Sequence, residues 1–283
     1  MILIADGGST KTDWRLVNND GIENNKIQTT GFNPYNIDTI GIQNILWSEL
    51  QPYVDVNSVD KIYYYGTGCS TPTKVMTVET AIQNVFTDAK VYVEHDMLAA
   101  ARAVCGKQAG ITAILGTGAN SCVFNGEEIT QIYNSLGYFL GDEGSGAHLG
   151  KTLLYMYFHD ELSPELKMLF EKEFPLTLEN ILDGIYNKPM PNRFLASFST
   201  FFLNNKENEE VRNILENVFD KFYKYMVLCY PESKTLPVNF AGSIGYIYQE
   251  ALKKVGEKIG VKTGNFVKDP IEALIEYHRN YML

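Results

Sequence analysis

The chain opens "MILIADGGSTKTDW" (1–14), and the stretch "ADGGSTKTDW" (5–14) looks built to hold phosphate. Which phosphate loop it forms decides the fold. A Walker A loop reads GxxxxGK(S/T) and opens a helix; no glycine precedes Lys11, so that pattern fails. A dinucleotide loop reads GxGxxG. "GTGCST" (66–71) and "GTGANS" (116–121) lack the last glycine, and "GSGAHLG" (144–150) carries it one place late. The residues around Asp6 follow another plan. "ILIA" predicts a buried strand, "DGGSTKT" a turn and "WRLVN" (14–18) a returning strand. Asn19-Asp20-Gly21 then predicts a second turn before "IENNKIQTT" (22–30). This is a β-meander with a phosphate-sized hairpin tip. Taken alone, Gly7-Gly8 is equally well explained as a tight turn.

The hairpin is repeated. "GITAILGTGANSCVFNGEEI" (110–129) has the same order of apolar strand, Gly/Thr/Gly tip, returning strand and Asn-Gly turn. Repetition at this scale predicts two similar lobes. Two glycine tips facing each other would surround a triphosphate with backbone N–H groups and hydroxyls, and Asp6 would hold Mg²⁺ directly or through water. A third element, "LPVNFAGSIGYIYQEALKKV" (236–255), predicts a strand, a Gly242-Ser243 turn and an amphipathic helix with Ile244, Ile247, Tyr248, Ala251, Leu252 and Val255 inward. Such a turn can pack under an adenine ring; alone, it is only a strand-to-helix connection.

"VYVEHDMLAAARAVCG" (91–106) predicts a strand ending near Glu94 and then a helix, which puts Asp96 at the carboxyl end of a strand, where open α/β sheets bind ligands. Asp before "MLAAARAV" is also a good helix N-cap, and the residues alone leave both readings open. In "GFNPYN" (31–36), Asn33 offers both donors and an acceptor, which suits a sugar hydroxyl or an N-acetyl group, although asparagine is common in turns. "LGDEGSGAHLG" (140–150) sets Asp142 and Glu143 between glycines, where they can either support the next helix through its dipole or grip hydroxyls.

In that order and spacing, the three glycine elements resemble the actin/hexokinase/heat-shock protein ATPase superfamily, and the resemblance covers nearly the whole chain. Within it, "DGGSTKTDW", "GFNP", "HDMLAA", "LGTGANS", "GYFLGDEGSG" and "FAGSIG" are similar to the N-acetylglucosamine kinase branch, grouped with the BadF/BadG/BcrA/BcrD-type ATPases. The resemblance implies an α/β fold of two ribonuclease H-like lobes with ATP bound in the cleft between them. It implies an N-terminal lobe over 1–108, joined by a C-terminal helix over 270–283, and a C-terminal lobe over 109–269. The latter carries a helical insert at roughly 151–230 that is rich in aromatics, as in "RFLASFSTFF" and "VFDKFYKYMVLCY".

It further implies Asp96 as catalytic base and sugar contact, with Asn33, Asn120, Asp142 and, less firmly, Glu143 on the sugar. ATP phosphates fall to Gly7, Gly8, Ser9, Thr10, Lys11, Thr12, Gly116, Thr117 and Gly118, adenosine to Gly242 and Ser243, and Mg²⁺ to Asp6. Lys11 is equally readable as a solvated hairpin side chain, and Thr117 and Asn120 can touch either sugar or phosphate. Many members have two glycines in the adenosine loop; here Ala241 takes the first place.

Net charge −10 and a pI near 5.0 argue against a nucleic-acid binder and against adhesion to anionic membrane. No apolar run approaches the ~18 residues that span a bilayer, and the charge at Asp6 interrupts any signal-peptide core. Cys69, Cys105, Cys122 and Cys229 are scattered, which fits reduced thiols in a cytoplasm. The four histidines lack metal spacing and read as structural, and the zinc cluster of ROK sugar kinases is not visible. The expected function is an ATP-dependent sugar kinase acting on N-acetylglucosamine or a related amino sugar at the 6-hydroxyl, with homodimerisation compatible. The alternatives are an ATPase activator of a dehydratase or reductase, which would need clustered cysteines, and a non-catalytic nucleotide-dependent switch or sensor.

Overall fold

The computed structural model describes residues 1–18, 20, 23–133 and 135–282. Asn19 and Gly21 of the turn expected at Asn19-Asp20-Gly21 lie outside the described residues. The chain divides into two compact units, Met1–Lys107 with Asp269–Leu283, and Gln108–Lys268.

The first unit is built on a five-stranded sheet of β1 (Ile2–Gly7), β2 (Lys11–Val17), β3 (Glu23–Thr30), β4 (Lys61–Gly66) and β5 (Lys90–His95), in the order β3-β2-β1-β4-β5. β1 to β3 form the antiparallel meander, while β4 and β5 run parallel to β1. The strands are longer than the sequence predicts, so the first turn shrinks to Gly8-Ser9-Thr10. β1 shows why the sequence reads as continuously apolar there. Leu3 and Ala5 enter the core under α1 (Thr39–Ile45) and α2 (Pro72–Val85), and Ile2 and Ile4 enter the core on the other face.

That second face is covered by α3 (Asp96–Cys105) and by the C-terminal helix Pro270–Tyr281, which contributes Ile271, Leu274 and Ile275. The helix starts at Pro270, with Asp269 at the cap position but making no side-chain cap bond. Polar ties fix it. Arg15 Nη2 donates to Glu272 at 3.1 Å, and the fully buried His278 sits 2.9 Å from the Tyr65 hydroxyl, which also accepts from Arg102 at 2.6 Å.

The second unit repeats the plan. β6 (Gly110–Leu115), β7 (Ala119–Phe124), β8 (Ile129–Ile132), β9 (Val238–Ala241) and β10 (Thr263–Val267) are ordered β10-β9-β6-β7-β8, with the same antiparallel and parallel pairings as in the first sheet. α4 (Gly137–Leu140) and α5 (Gly146–Phe158) follow β8. The insert is α6 (Pro164–Glu173), α7 (Leu178–Tyr186), α8 (Pro191–Ser197), α9 (Thr200–Asn204) and α10 (Glu209–Phe222), and its aromatics are core: Phe170, Phe198, Phe201, Phe202 and Phe219 are all buried. The helix expected after β9 is two helices, α11 (Ser243–Ile247) and α12 (Gln249–Ile259). It breaks at Tyr248, whose hydroxyl donates to Ser199 O at 2.7 Å. Ile244, Tyr248, Leu252 and Val255 point inward as expected, but Ile247 is exposed.

Burial and the Arg102 charge push His278 down to about 3. A histidine held neutral in the fold but ordinary when unfolded contributes stability that is complete above pH 6.5 and is lost as the pH falls toward 3. Thermal melts of wild type and His278→Gln between pH 7.5 and 4.5 check this. The wild-type melting temperature should fall more steeply below pH 6.5 than that of the variant.

Candidate active site

The glycines of the first unit are sites of close approach. A β-carbon on Gly31 would lie 2.1 Å from Gly8 O and 2.4 Å from Lys11 N, so the chain after β3 packs directly onto the hairpin tip. Gly31 N donates to Thr10 O and Gly8 N to Lys11 O, closing the turn. Gly8, Ser9 and Thr10 are exposed at the tip. Lys11 is ion-paired with Asp13 at 2.7 Å and is half exposed. Thr12 differs from expectation: in β2 its side chain alternates inward and is fully buried, away from the solvent-facing tip.

Asp6 stands at the end of β1. Burial, then the charges of Asp96 and Asp13, push its carboxyl up to about 7 against the pull of Lys11, with Asp269 adding to the rise. Asp6 and Asp96 therefore feel each other's charge. Asp96 is the first residue of α3 rather than its cap. The cap is His95, which accepts from Met97 N through Nδ1 at 3.1 Å. The alternation of β5 carries the backbone to this point, with His95 pairing Gly66 of β4.

The turn after β4 belongs to the same neighbourhood. Thr67 N donates to Gly7 O at 2.8 Å, and Cys69, buried near Asp96 and Glu94, has its thiol pushed up to about 12 by burial and those charges. Asn33 meets this turn: its Oδ1 accepts from Tyr35 N, and a β-carbon on Gly68 would lie 2.4 Å from the same oxygen. The sequence reads 61–72 as a buried strand ending in a glycine turn, with no site role, and His95 as structural. The signal was available, because Gly66 ends β4 where Gly242 follows β9, the corresponding strand of the repeat.

In the second unit the tip Gly116-Thr117-Gly118 lies against two other expected elements. A β-carbon on Gly118 would stand 2.9 Å from Asp142 Oδ2, and one on Gly242, whose φ is +106°, would stand 2.5 Å from Leu115 O. Gly146 N and Ala147 N donate to Gly116 O and Thr117 O, tying the start of α5 to the tip. Ser145 caps α5, so the helix start does not depend on Asp142 or Glu143. Asp142 is buried with φ +59°, a conformation that costs energy for a non-glycine residue and tends to accompany function. Its Oδ1 accepts from Ser135 at 2.8 Å.

Glu143 is partly exposed next to Asp142, and Asn120 Oδ1 accepts from Ser121 N. Lys151, which sequence reasoning passed over, donates to Tyr138 O at 2.5 Å; burial holds it below the usual lysine range despite Asp142 and Glu143. His148 Nδ1 accepts from Gly144 N, and burial with nearby lysines drives it down to about 4, so it is a neutral strut of the bend. Beside α11 and α12 opens a cavity of about 370 Å³ with Leu203, Leu215, Ile247, Tyr248 and Ala251 on its walls and Arg212 among its charged groups.

Each unit is thus a ribonuclease H-like lobe with strand order 3-2-1-4-5 and a glycine-tipped first hairpin, the class of fold shared by two-lobed sugar kinases and related ATPases. No family model matches the chain, and no curated protein matches it. Among solved structures, a candidate N-acetylglucosamine kinase from Porphyromonas gingivalis is 40% identical with a TM-score of 0.94, covering 100% of both chains. A candidate N-acetylglucosamine kinase from Chromobacterium violaceum matches at TM-score 0.61 and 16% identity over 98% of each chain. A ROK family glucokinase from Streptomyces griseus, in complex with glucose and AMPPNP, matches at 0.54 and 12%, over 98% of this chain and 97% of its own. The last two show the fold alone. The chain belongs to the same family as the Porphyromonas protein, the N-acetylglucosamine kinase branch of the actin/hexokinase ATPase fold.

A divalent cation bound at Asp6 would relieve its crowding by the neighbouring carboxylates. Among the described residues no group of three His, Cys, Asp or Glu could hold a metal. Without a cation, a folded-state carboxyl raised toward 7 is protonated more readily than in the unfolded chain, so its contribution falls as pH rises from about 4 through 7. Asp6→Asn should raise metal-free stability at pH 8 by about 1–2 kcal/mol, the partial exposure of Asp6 discounting a larger shift, with the gain gone near pH 4. Urea titrations at the two pH values check it.

Proposed function

We propose that this protein is an ATP-dependent sugar kinase that phosphorylates N-acetylglucosamine or a close amino sugar at the 6-hydroxyl. The observation that carries the reading is the pair Asp6 and Asp96: two carboxylates at the ends of β1 and β5, on either side of β4, one crowded enough to favour a cation, the other at a helix start. Full-length similarity at 40% identity to a candidate N-acetylglucosamine kinase supports it.

In this reading Asp96 accepts the proton of the attacking hydroxyl, worth ~10²–10⁴-fold. Asn33 and Asp142 hold sugar hydroxyls or the N-acetyl group, with Glu143 and Asn120 as further contacts. Asp142 serves in a left-handed backbone position that aims it at the glycine tip. The exposed tip Gly8-Ser9-Thr10 and the tip Gly116-Thr117-Gly118 offer N–H groups and hydroxyls to the phosphates. Mg²⁺ on Asp6 would neutralise phosphate charge, and alignment supplies most of the remaining rate. Gly242 and Ser243 take the adenosine, and the cavity beside α11 and α12 is of a size and apolar character that suits a purine. Lys11, paired with Asp13, contributes charge to the tip indirectly.

A panel of sugars in a coupled ATP-consumption assay tests the function. N-acetylglucosamine should be turned over and its 6-deoxy analogue should not. Asp96→Asn should lower kcat by about 10²-fold or more with the melting temperature nearly unchanged, since His95 and not Asp96 caps α3. No sugar-dependent ATP consumption by the wild type, or a silent Asp96→Asn, would remove the kinase reading.

Filling the cavity offers a separate check on the nucleotide. Ala251→Tyr should raise KM for ATP at least tenfold while leaving KM for the sugar within about twofold. An equal rise in both would place the purine elsewhere.

A further inference from the structure

His95 Nδ1 faces two partners that make opposite demands. It lies 3.1 Å from Met97 N and 2.8 Å from Asp96 Oδ1. To accept from the Met97 amide, Nδ1 must carry a lone pair, and that lone pair then faces the carboxylate oxygen. To donate to Asp96, it must carry a proton, and the amide loses its acceptor. The two arrangements differ in whether Nδ1 bears a proton, by tautomer or by protonation of the ring, and the carboxylate contact is favourable only when a proton lies between the two groups.

We infer that His95 is a positioning residue that acts through Asp96, fixing its Oδ1 and taking up the proton that the carboxylate removes from the acceptor hydroxyl. The inference rests on the kinase reading. As the acceptor oxygen bonds to the γ-phosphorus, the bond from that phosphorus to the bridging oxygen breaks and its electron pair leaves on ADP. The acceptor O–H bond breaks, and its proton passes to the Asp96 carboxylate and comes to rest on Nδ1. The pair is then an imidazolium against a carboxylate. An imidazole is ordinarily the stronger base by about two to three pK units, so this last transfer is downhill. His95 is about a quarter exposed, which lets the imidazolium return its proton to water.

The surroundings favour this end state. The charged groups around Asp96 are Asp6 at the end of β1, which the kinase reading gives to the cation, and beyond it Asp13, Asp269 and Lys11. Glu94 precedes His95 on β5, and Cys69 from the turn after β4 stays a neutral thiol. Burial alone would lower His95, but the bond and charge of Asp96 outweigh it and leave the imidazole above its ordinary range. Below that point the imidazole already holds its proton and cannot receive another, so turnover should fall on the acid side.

Two variants separate this role from simple capping. His95→Asn and His95→Ser both keep a good N-cap for α3, so melting temperatures should hold. The expected result is a kcat about tenfold lower at pH 8, KM values for ATP and sugar within twofold, and an acid limb of the kcat profile moved down by more than one pH unit. Imidazole nitrogen resonances give a readout that needs no turnover: His95 should titrate above 6.5 in the wild type and at least one unit lower in Asp96→Asn. Wild-type kcat and an unmoved limb in both variants would overturn the inference. So would a His95 titration indifferent to Asp96→Asn while wild-type turnover is intact. A coupled titration without turnover on any sugar would overturn the kinase reading and the relay with it.

Discussion

The first unit depends on the placement of one aromatic ring. Tyr64, fully buried in β4, stacks on Phe32 with ring centroids 5.2 Å apart and passes beneath the ends of two neighbouring strands. A β-carbon on Gly7 would fall 2.2 Å from its hydroxyl, and one on Gly66 2.3 Å from its ring. Both residues must therefore be glycine for β1 and β4 to end side by side. Several of the polar groups of this unit are hung from those ends: Asp6 precedes Gly7, Gly8 opens the hairpin tip, and the turn after Gly66 bears Cys69. Phe32, which supports the ring, leads directly into Asn33. The ring thus couples the core to the positions of the polar groups, and close packing leaves little room to shift one without the other.

Much of this was legible in the sequence because it rests on local rules. The double glycine after an apolar run, its recurrence near residue 116 and the strand-to-helix turn at Gly242 each follow from backbone geometry, and together they define the fold. The insert reads as helical from its apolar spacing, and the same spacing turns its aromatics into the core. What failed to show was anything set by neighbours distant in sequence. Thr12 belongs to the motif but is turned inward by strand alternation. The break at Tyr248 is fixed by a hydrogen bond to Ser199, 49 residues away. His95 sits beside the most conspicuous acid in the chain, yet its capping role depends on where β5 stops. A difference of one residue there passes the cap from Asp96 to His95 and leaves the carboxylate free of that duty.

The second unit shows how a costly backbone is kept in place. Asp142 in a left-handed conformation is held by Ser135 on its carboxylate, by Gly118 close against its side chain and by the bend that Ser145 caps. His148, kept neutral, braces Gly144, and Lys151 ties down the backbone at Tyr138. The strain is local and the restraints come from several neighbours. This arrangement preserves an orientation that an isolated loop would relax.

The two sheets share a topology but not a charge. The last pair of the first hairpin is Gly7 with Thr12, and the pair before it is Asp6 with Asp13; in the second sheet the last pair is Leu115 with Ala119, preceded by Ile114 with Asn120. Equivalent backbone positions thus bear two carboxylates in one copy and none in the other. A repeated scaffold would otherwise present two interchangeable cradles, each able to receive the same charged end of a ligand. Breaking the symmetry at a single rung of each ladder gives the two copies of one scaffold different chemistry, so that neither can stand in for the other.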